Sequence, residues 1–453
     1  MNLMGVKKLI VIALAILMLF PSLQSRKLEE NKLPSKEDII GFLSAIQEKS
    51  KKFFFGKGNL IKDLVLFSGK MNESSLENAI AEFYEMKGIE YNEPAIDSFL
   101  DECNFSQEVQ NSIALLLYAY INVSTNPNKA ESIFLLAYAI KETKYYLEKF
   151  EPNKTIFGPY GEIAFGGKHD DEYSNYSFIV DFGGDDRYQK SCFIVDLKGN
   201  DGYLEMKAVN DTYVTIDENG DDNYTNVYSI NGSYFLFDLN GNDTYRGKIC
   251  SSYENGYSFF FDFNGNDLYK GLNETQSFSY DATSMLIDFN GDDRYYAGDY
   301  SQASSQGGVA LLIDFTGEDM FIAGNRSQAY ATGGSIQGIK GVAILINFAG
   351  SDLYKSGNYS QGYANSLGFA LLLDFLGDDS YNARKFSQAS SNAMGAAAFI
   401  DSDGINKFKH GMFCQGYMLG SLSLFMNNFE MNGSERLLDM INKLDFNFSN
   451  FLS

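Results

Sequence analysis

The residues with the clearest capacity for chemistry are aspartates, and they recur in a fixed frame of three apolar residues followed by Asp-x-x-Gly-x-Asp-x-Tyr. The copies read FIVDFGGDDRY from 178, FIVDLKGNDGY from 193, VTIDENGDDNY from 214, FLFDLNGNDTY from 235 and FFFDFNGNDLY from 259. They continue as MLIDFNGDDRY from 285, LLIDFTGEDMF from 311, ILINFAGSDLY from 344 and LLLDFLGDDSY from 371, with a worn copy, AFIDSDGINKF, from 398. GGKHDDEY, ending at Tyr173, reads as a worn starting copy, and Asn428-Phe429 sits where an eleventh is expected. The first aspartates are Asp181, Asp196, Asp217, Asp238, Asp262, Asp288, Asp314, Asp374 and Asp401, with Asn347 in the same frame. The second are Asp186, Asp201, Asp222, Asp243, Asp267, Asp293, Asp319, Asp352 and Asp379.

Two carboxylates flanking a glycine turn can do three things. The first can accept N–H bonds inside an Asx-type turn, with glycine supplying a positive φ, and no metal is then needed. If copies stack, equivalent carboxylates form columns about 5 Å apart, repelling by about 0.8 kcal/mol in water and about 3 kcal/mol at an effective dielectric of 20. Oxygen-rich clusters of that kind suit Ca²⁺, a hard cation with six to eight oxygen ligands. Adjacent pairs such as Asp292/Asp293 and Asp378/Asp379 could instead serve a carbohydrate-active β-helix enzyme as acid and base. An active site, however, needs one distinctive constellation, whereas these pairs recur, and neighbours on a strand point to opposite faces.

Other chemistry lacks raw material. Two histidines (His169, His410) leave little for a zinc site or a Ser-His-Asp triad. Cys103, Cys192, Cys250 and Cys414 are too dispersed for a disulfide framework or a CxxC site. With 36 basic against 59 acidic residues the formal charge is -23, which repels nucleic acid and anionic lipid and favours divalent cations.

The elements that must hold these turns follow from period and composition. First-Asp spacings run 15, 21, 21, 24, 26, 26, 33, 27 and 27. That is too short for a four-stranded propeller blade and has room for two or three short strands, the unit of a β-solenoid stacked at about 4.8 Å. None of the six prolines lies beyond Pro159, as an extended sheet with few edges requires. About ten to eleven coils would make a rod of roughly 50 Å. From the sixth copy on, a second element follows: SQA at 301 and 327, SQG at 360, SQA at 387 and CQG at 414. Gln302, Gln328, Gln361, Gln388 and Gln415 are expected to stack as an amide ladder. Ser301, Ser327, Ser360 and Ser387 have no accompanying base and read as structural.

Alternation puts Phe259, Phe261 and Phe263 on one face and Phe260 with Asp262 on the other, and sets Leu371, Leu373 and Phe375 inward. Both faces are apolar, so both need cover, from another layer, a helical domain or a second molecule. Residues 34–152 supply helical patterning. Ser35 with Asp38 forms a capping box, Gly88 a C-cap and Pro94 a first-turn proline; Ser106 to Val123 and Asn128 to Phe150 carry apolar residues at helical spacing. The fold class is therefore α+β in two domains. A signal peptide or N-terminal membrane anchor (1–25) precedes a helical domain (34–152), a β-solenoid repeat domain (157–429) and a C-terminal helical cap (430–453).

Lys7 and Lys8 before the apolar run from Leu9 to Phe20 have the size of a signal core and are short for a membrane span. Export, to the cell surface or beyond, is expected, with a single-pass anchor as the alternative. Asn-x-Ser/Thr acceptors, among them Asn72, Asn104, Asn122, Asn242 and Asn358, agree with a glycoprotein.

GNDTY at 241 and GNDLY at 265 resemble the second half of the RTX (haemolysin-type) nonapeptide, which implies calcium as cofactor in a β-roll. DFNGNDLY at 262 is similar to the Asp-x-Asn-Gly-Asp loop of FG-GAP propellers, which implies a propeller binding module as an alternative fold. Both families differ in period, and the whole unit more closely resembles repeats of uncharacterised secreted prokaryotic proteins. The expected function is a non-catalytic, calcium-stabilised surface protein, structural or binding an envelope component, a polysaccharide or another protein, as a monomer or an oligomer.

Overall fold

A computed structural model describes residues 75–150, 152–334 and 340–427. Among the described residues four helices come first: α1 (Leu76–Lys87), α2 (Glu93–Cys103), α3 (Gln107–Thr125) and α4 (Ala130–Leu147). Their ends follow local chemistry. The Ser75, Asn92 and Ser106 side chains accept N–H groups of the first turns of α1, α2 and α3, and α1 stops at Gly88 with φ 69°. The capping box at Ser35, the segment 1–25 and the cap at 430–453 lie outside the described residues.

From Ile156 onward the chain builds a 29-stranded sheet. After one antiparallel pairing, Ile156–Phe157 against Ala164–Phe165, neighbouring strands are parallel and fall into columns. Column A stacks the apolar-Asp strands so that Asp181, Asp196, Asp217, Asp238, Asp262, Asp288, Asp314, Asn347, Asp374 and Asp401 lie in register. Column B stacks Tyr173, Tyr188, Tyr203, Tyr224, Tyr245, Tyr269, Tyr295, Phe321, Tyr354, Tyr381 and Phe408. Column C begins at Lys207–Val209, where the repeat lengthens from 15 to 21 residues; the added six make room for a third short strand. The result is a β-solenoid-like repeat.

The register corrects three expectations. Turns that sit directly above one another in parallel strands are incompatible with blades arranged around a propeller ring, so the FG-GAP-like alternative falls. Leu422–Met426 pairs with Ala396–Ile400, which sets Asn427, rather than Asn428, opposite Asp401; 428 and 429 themselves lie outside the described residues. Finally, Leu371 and Leu373 point away from the coil interior. They belong to the core shared with the helices, whereas Leu372 and Phe260 pack with the column B tyrosines inside the stack. The helical region covers the outer face of the first strands of column A: Phe83 meets Phe178, Phe99 stacks on Phe165 at 5.2 Å, and Tyr120 stacks on Phe193 at 4.7 Å and donates to the Thr212 carbonyl at 2.7 Å.

Candidate functional site: a buried aspartate–tyrosine column

The turn that joins column A to column B puts both aspartates of each repeat inside. All nine first aspartates are at most 4% exposed, and all nine second ones at most 2%. Glycine is required between them for closeness, and in half of the copies for φ as well. Gly220, Gly241, Gly265, Gly291 and Gly317 are absent from the left-handed region. A Cβ on Gly220 would stand 1.8 Å from the Gly199 carbonyl oxygen, and one on Gly265 would stand 2.1 Å from that of Gly241. Each turn thus rests on the turn before it; the expected positive φ is met at Gly184, Gly199, Gly350, Gly377 and Gly404, at 93–157°, and the steric reason applies at the other copies.

The first aspartates share a recurring set of donors. Oδ1 of Asp181 and of Asp196 accepts the N–H two residues on, at 2.9 Å in both. Oδ2 of the first Asp accepts the tyrosine hydroxyl of the preceding repeat: Tyr173 to Asp181, Tyr203 to Asp217, Tyr224 to Asp238, Tyr245 to Asp262, Tyr269 to Asp288, Tyr295 to Asp314 and Tyr354 to Asp374, at 2.5–2.8 Å, with Tyr188 to Asp196 alike. Several tyrosines also donate to the Asp of their own repeat, as Tyr269 does to Asp262 at 3.0 Å. The rings stack at 4.6–5.2 Å, so the hydroxyls form a row beside the carboxylates.

The second Asp hangs from the next repeat's neighbour. Oδ1 of Asp243 accepts the Asp222 N–H and Oδ1 of Asp267 accepts that of Asp243, both at 2.6 Å; the pattern runs on to Asp379, whose Oδ1 accepts the Asp352 N–H at 2.8 Å. Its other oxygen, Oδ2, is buried and accepts no N–H or O–H in Asp201, Asp222, Asp243, Asp267, Asp293, Asp319 and Asp379. Carboxylate oxygens within 4.8 Å of one another group as Asp171–Asp181–Asp186, Asp186–Asp196–Asp201, Asp201–Asp217–Asp222, Asp222–Asp238–Asp243 and Asp243–Asp262–Asp267, with three more such groups.

Burial is the main force on these carboxyls, and the charged groups acting most strongly beside it are neighbouring aspartates. Asp186, Asp201, Asp222 and Asp262 are pushed up to about 8, Asp267 to about 11, and Asp181, Asp288, Asp314 and Asp401 to about 7. Asp196, Asp217, Asp238, Asp243, Asp293, Asp319, Asp352 and Asp374 also move up, while Asp379 rises to about 6. The arrangement can bind hard cations or protons.

No family model, no curated protein and no solved structure matches this chain. The column must therefore be interpreted from its own atoms.

Every first and second aspartate of the repeats lies in the column. Asp292 and Asp378 are exposed while Asp293 and Asp379 are buried, so the adjacent pairs are split between surface and interior. The glutamine ladder forms from Gln276 to Gln388, each Nε2 donating to the Oε1 of the preceding repeat: Gln302 to Gln276 at 3.1 Å, Gln328 to Gln302 at 3.0 Å, Gln361 to Gln328 at 3.1 Å and Gln388 to Gln361 at 3.2 Å; Gln415 does not extend it, for Gln388 Oε1 accepts no N–H. Sequence reasoning missed Gln276, Asp171 and the role of the tyrosines as carboxylate donors. The signal was present for the last: an aromatic residue seven positions after each first Asp.

Proposed function

We propose that this chain is an exported, non-catalytic structural repeat protein whose buried carboxylate column is neutralised by divalent cations. Calcium is the ion of matching chemistry. The observation that carries this reading is the set of buried carboxylate triads with unpartnered Oδ2 atoms. Each repeat brings two carboxylates and each inter-repeat gap could take one divalent ion, so charge balances along the stack. Second-Asp carboxylates from adjacent repeats, the first Asp and the tyrosine hydroxyls would supply the oxygen ligands that calcium favours. Such a stack, stiffened at every repeat, suits an envelope component or a platform for a polysaccharide or protein partner at the cell surface.

A second reading has its own observation. Asn347 Nδ2 donates to Asp352 Oδ2 at 2.7 Å, and Asn406 Nδ2 donates to Asp401 Oδ1 at 2.7 Å. Where one member of an Asp pair is an amide, its N–H occupies the shared edge, so in Asp–Asp repeats a proton can occupy that edge instead of a metal. Thermal unfolding of the full chain in chelator, with and without millimolar calcium, separates the two. A raised midpoint supports the cation reading; an unchanged midpoint leaves protons as the neutralising species.

A further inference from the structure

The column is interrupted, and the interruptions are paired. The eight hydroxyls that donate forward, from Tyr173 to Tyr354, all meet an aspartate, and Tyr381 precedes Asp401. The two repeats whose ring is phenylalanine, Phe321 and Phe408, precede the two whose first position is asparagine, Asn347 and Asn427. Phe321 keeps the ring stack, at 4.6 Å from Tyr295 and 5.0 Å from Tyr354, and omits only the hydroxyl. Asn347 keeps the turn: its Oδ1 accepts the Ala349 N–H at 3.0 Å, as the Asp181 carboxylate does with Gly183. That places Nδ2 where eight of the nine first aspartates have the Oδ2 that receives tyrosine hydroxyls. A donor stands in the acceptor's place, and the donor that would have faced it is gone. The hydroxyl thus accompanies a charged first position and is absent where that position is neutral.

We propose that the Phe321–Asn347 pair and the Asn406 amide, whose N–H donates to Asp401 Oδ1 at 2.7 Å, are ion-excluding junctions, the first dividing the column into two cation-binding runs and the other ending the second. This rests on the divalent-cation reading above. At Asn347 the side chain brings no charge, and its N–H occupies Asp352 Oδ2, the oxygen left unpartnered in the neighbouring Asp319 and Asp379. One run therefore ends at Asp319, and a second contains Asp374 and Asp379. The junctions fix how many ions the chain carries, and loss of ions from one run need not empty the other.

The test counts calcium per chain by native mass spectrometry on the full chain and on Asn347→Asp/Phe321→Tyr. The double variant is expected to carry one more ion than wild type and to show a larger calcium-dependent rise in unfolding midpoint. Phe321→Tyr alone restores a hydroxyl without a charge and is expected to leave the count unchanged. An unchanged count in a folded double variant overturns the junctions while leaving the cation column standing, as does an added ion in Phe321→Tyr alone. A wild-type chain that holds no calcium overturns both. Should the double variant fail to fold, Asp314→Asn with Tyr295→Phe builds a new junction in the first run and is expected to remove one ion; no change there overturns the proposal.

Discussion

Removing a single oxygen tests how the stack is held. Tyr269→Phe deletes a hydroxyl that donates to Asp288 at 2.8 Å and to Asp262 at 3.0 Å, and leaves a ring stacked 4.6 Å from both Tyr245 and Tyr295. No cavity opens, because the ring stays. A hydrogen bond to a charged group is worth about 1.5–3 kcal/mol. Both acceptors keep another tyrosine, Tyr245 for Asp262 at 2.6 Å and Tyr295 for Asp288 at 3.1 Å. The loss is therefore set below the sum of two bonds, at about 2–4 kcal/mol. Hydrogen exchange read by mass spectrometry gives the local value, since repeats open piecewise. Protection of peptides spanning 257–296 should fall by about 30- to 1,000-fold, equivalent to that range at 1.4 kcal/mol per decade, while peptides at 163–196 hold theirs. Protection within threefold of wild type would refute the assignment of the hydroxyl row as a main tie between repeats.

Other consequences follow from the same geometry. In chelator, stability should fall as pH rises from 5 to 9. The column carboxyls have folded values raised above their unfolded ones, so the folded state binds more protons in that window, and each proton so held costs about 1.4 kcal/mol per pH unit; a midpoint that climbs with pH contradicts this. Calcium should flatten that slope. Gly265→Ala forces a Cβ to within 2.1 Å of the Gly241 carbonyl oxygen and should cost more than about 3 kcal/mol by thermal or urea unfolding. Gly88→Ala, with nothing within 4 Å but φ 69°, should cost about 1 kcal/mol. Gln328→Leu removes Nε2 bonds to Gln302 Oε1 at 3.0 Å and the Phe321 carbonyl at 2.8 Å and should cost about 1–3 kcal/mol, read by urea unfolding.

Much of this was legible in the sequence because a repeat converts spacing into geometry. A period of 21 to 27 residues with alternating apolar positions leaves few options besides stacked short strands, and the in-register aspartates and glutamines follow directly. Helix ends were equally legible, since Ser106, Gly88 and Pro94 act locally. What stayed hidden depended on which side of a strand is enclosed. Leu371 and Leu372 are alike in chemistry, and only the joint closure of columns A, B and C decides which faces the interior. The steric part of glycine's role stayed hidden for a related reason: the clash of a Gly265 Cβ with the Gly241 carbonyl is a contact between residues more than twenty apart, whereas φ is local. The partnership of Phe321 with Asn347 is invisible within any single copy, because it runs from one repeat to the next.

The most direct measurement is an anomalous difference map from crystals of the full chain grown in calcium. Peaks should lie among Asp201, Asp217 and Asp222 and at the equivalent gaps above and below, spaced by the strand separation of about 4.8 Å, with none between Asp319 and Asp352. A map without peaks, in which facing Asp oxygens are joined by short hydrogen bonds, would contradict the cation column and assign its neutrality to protons.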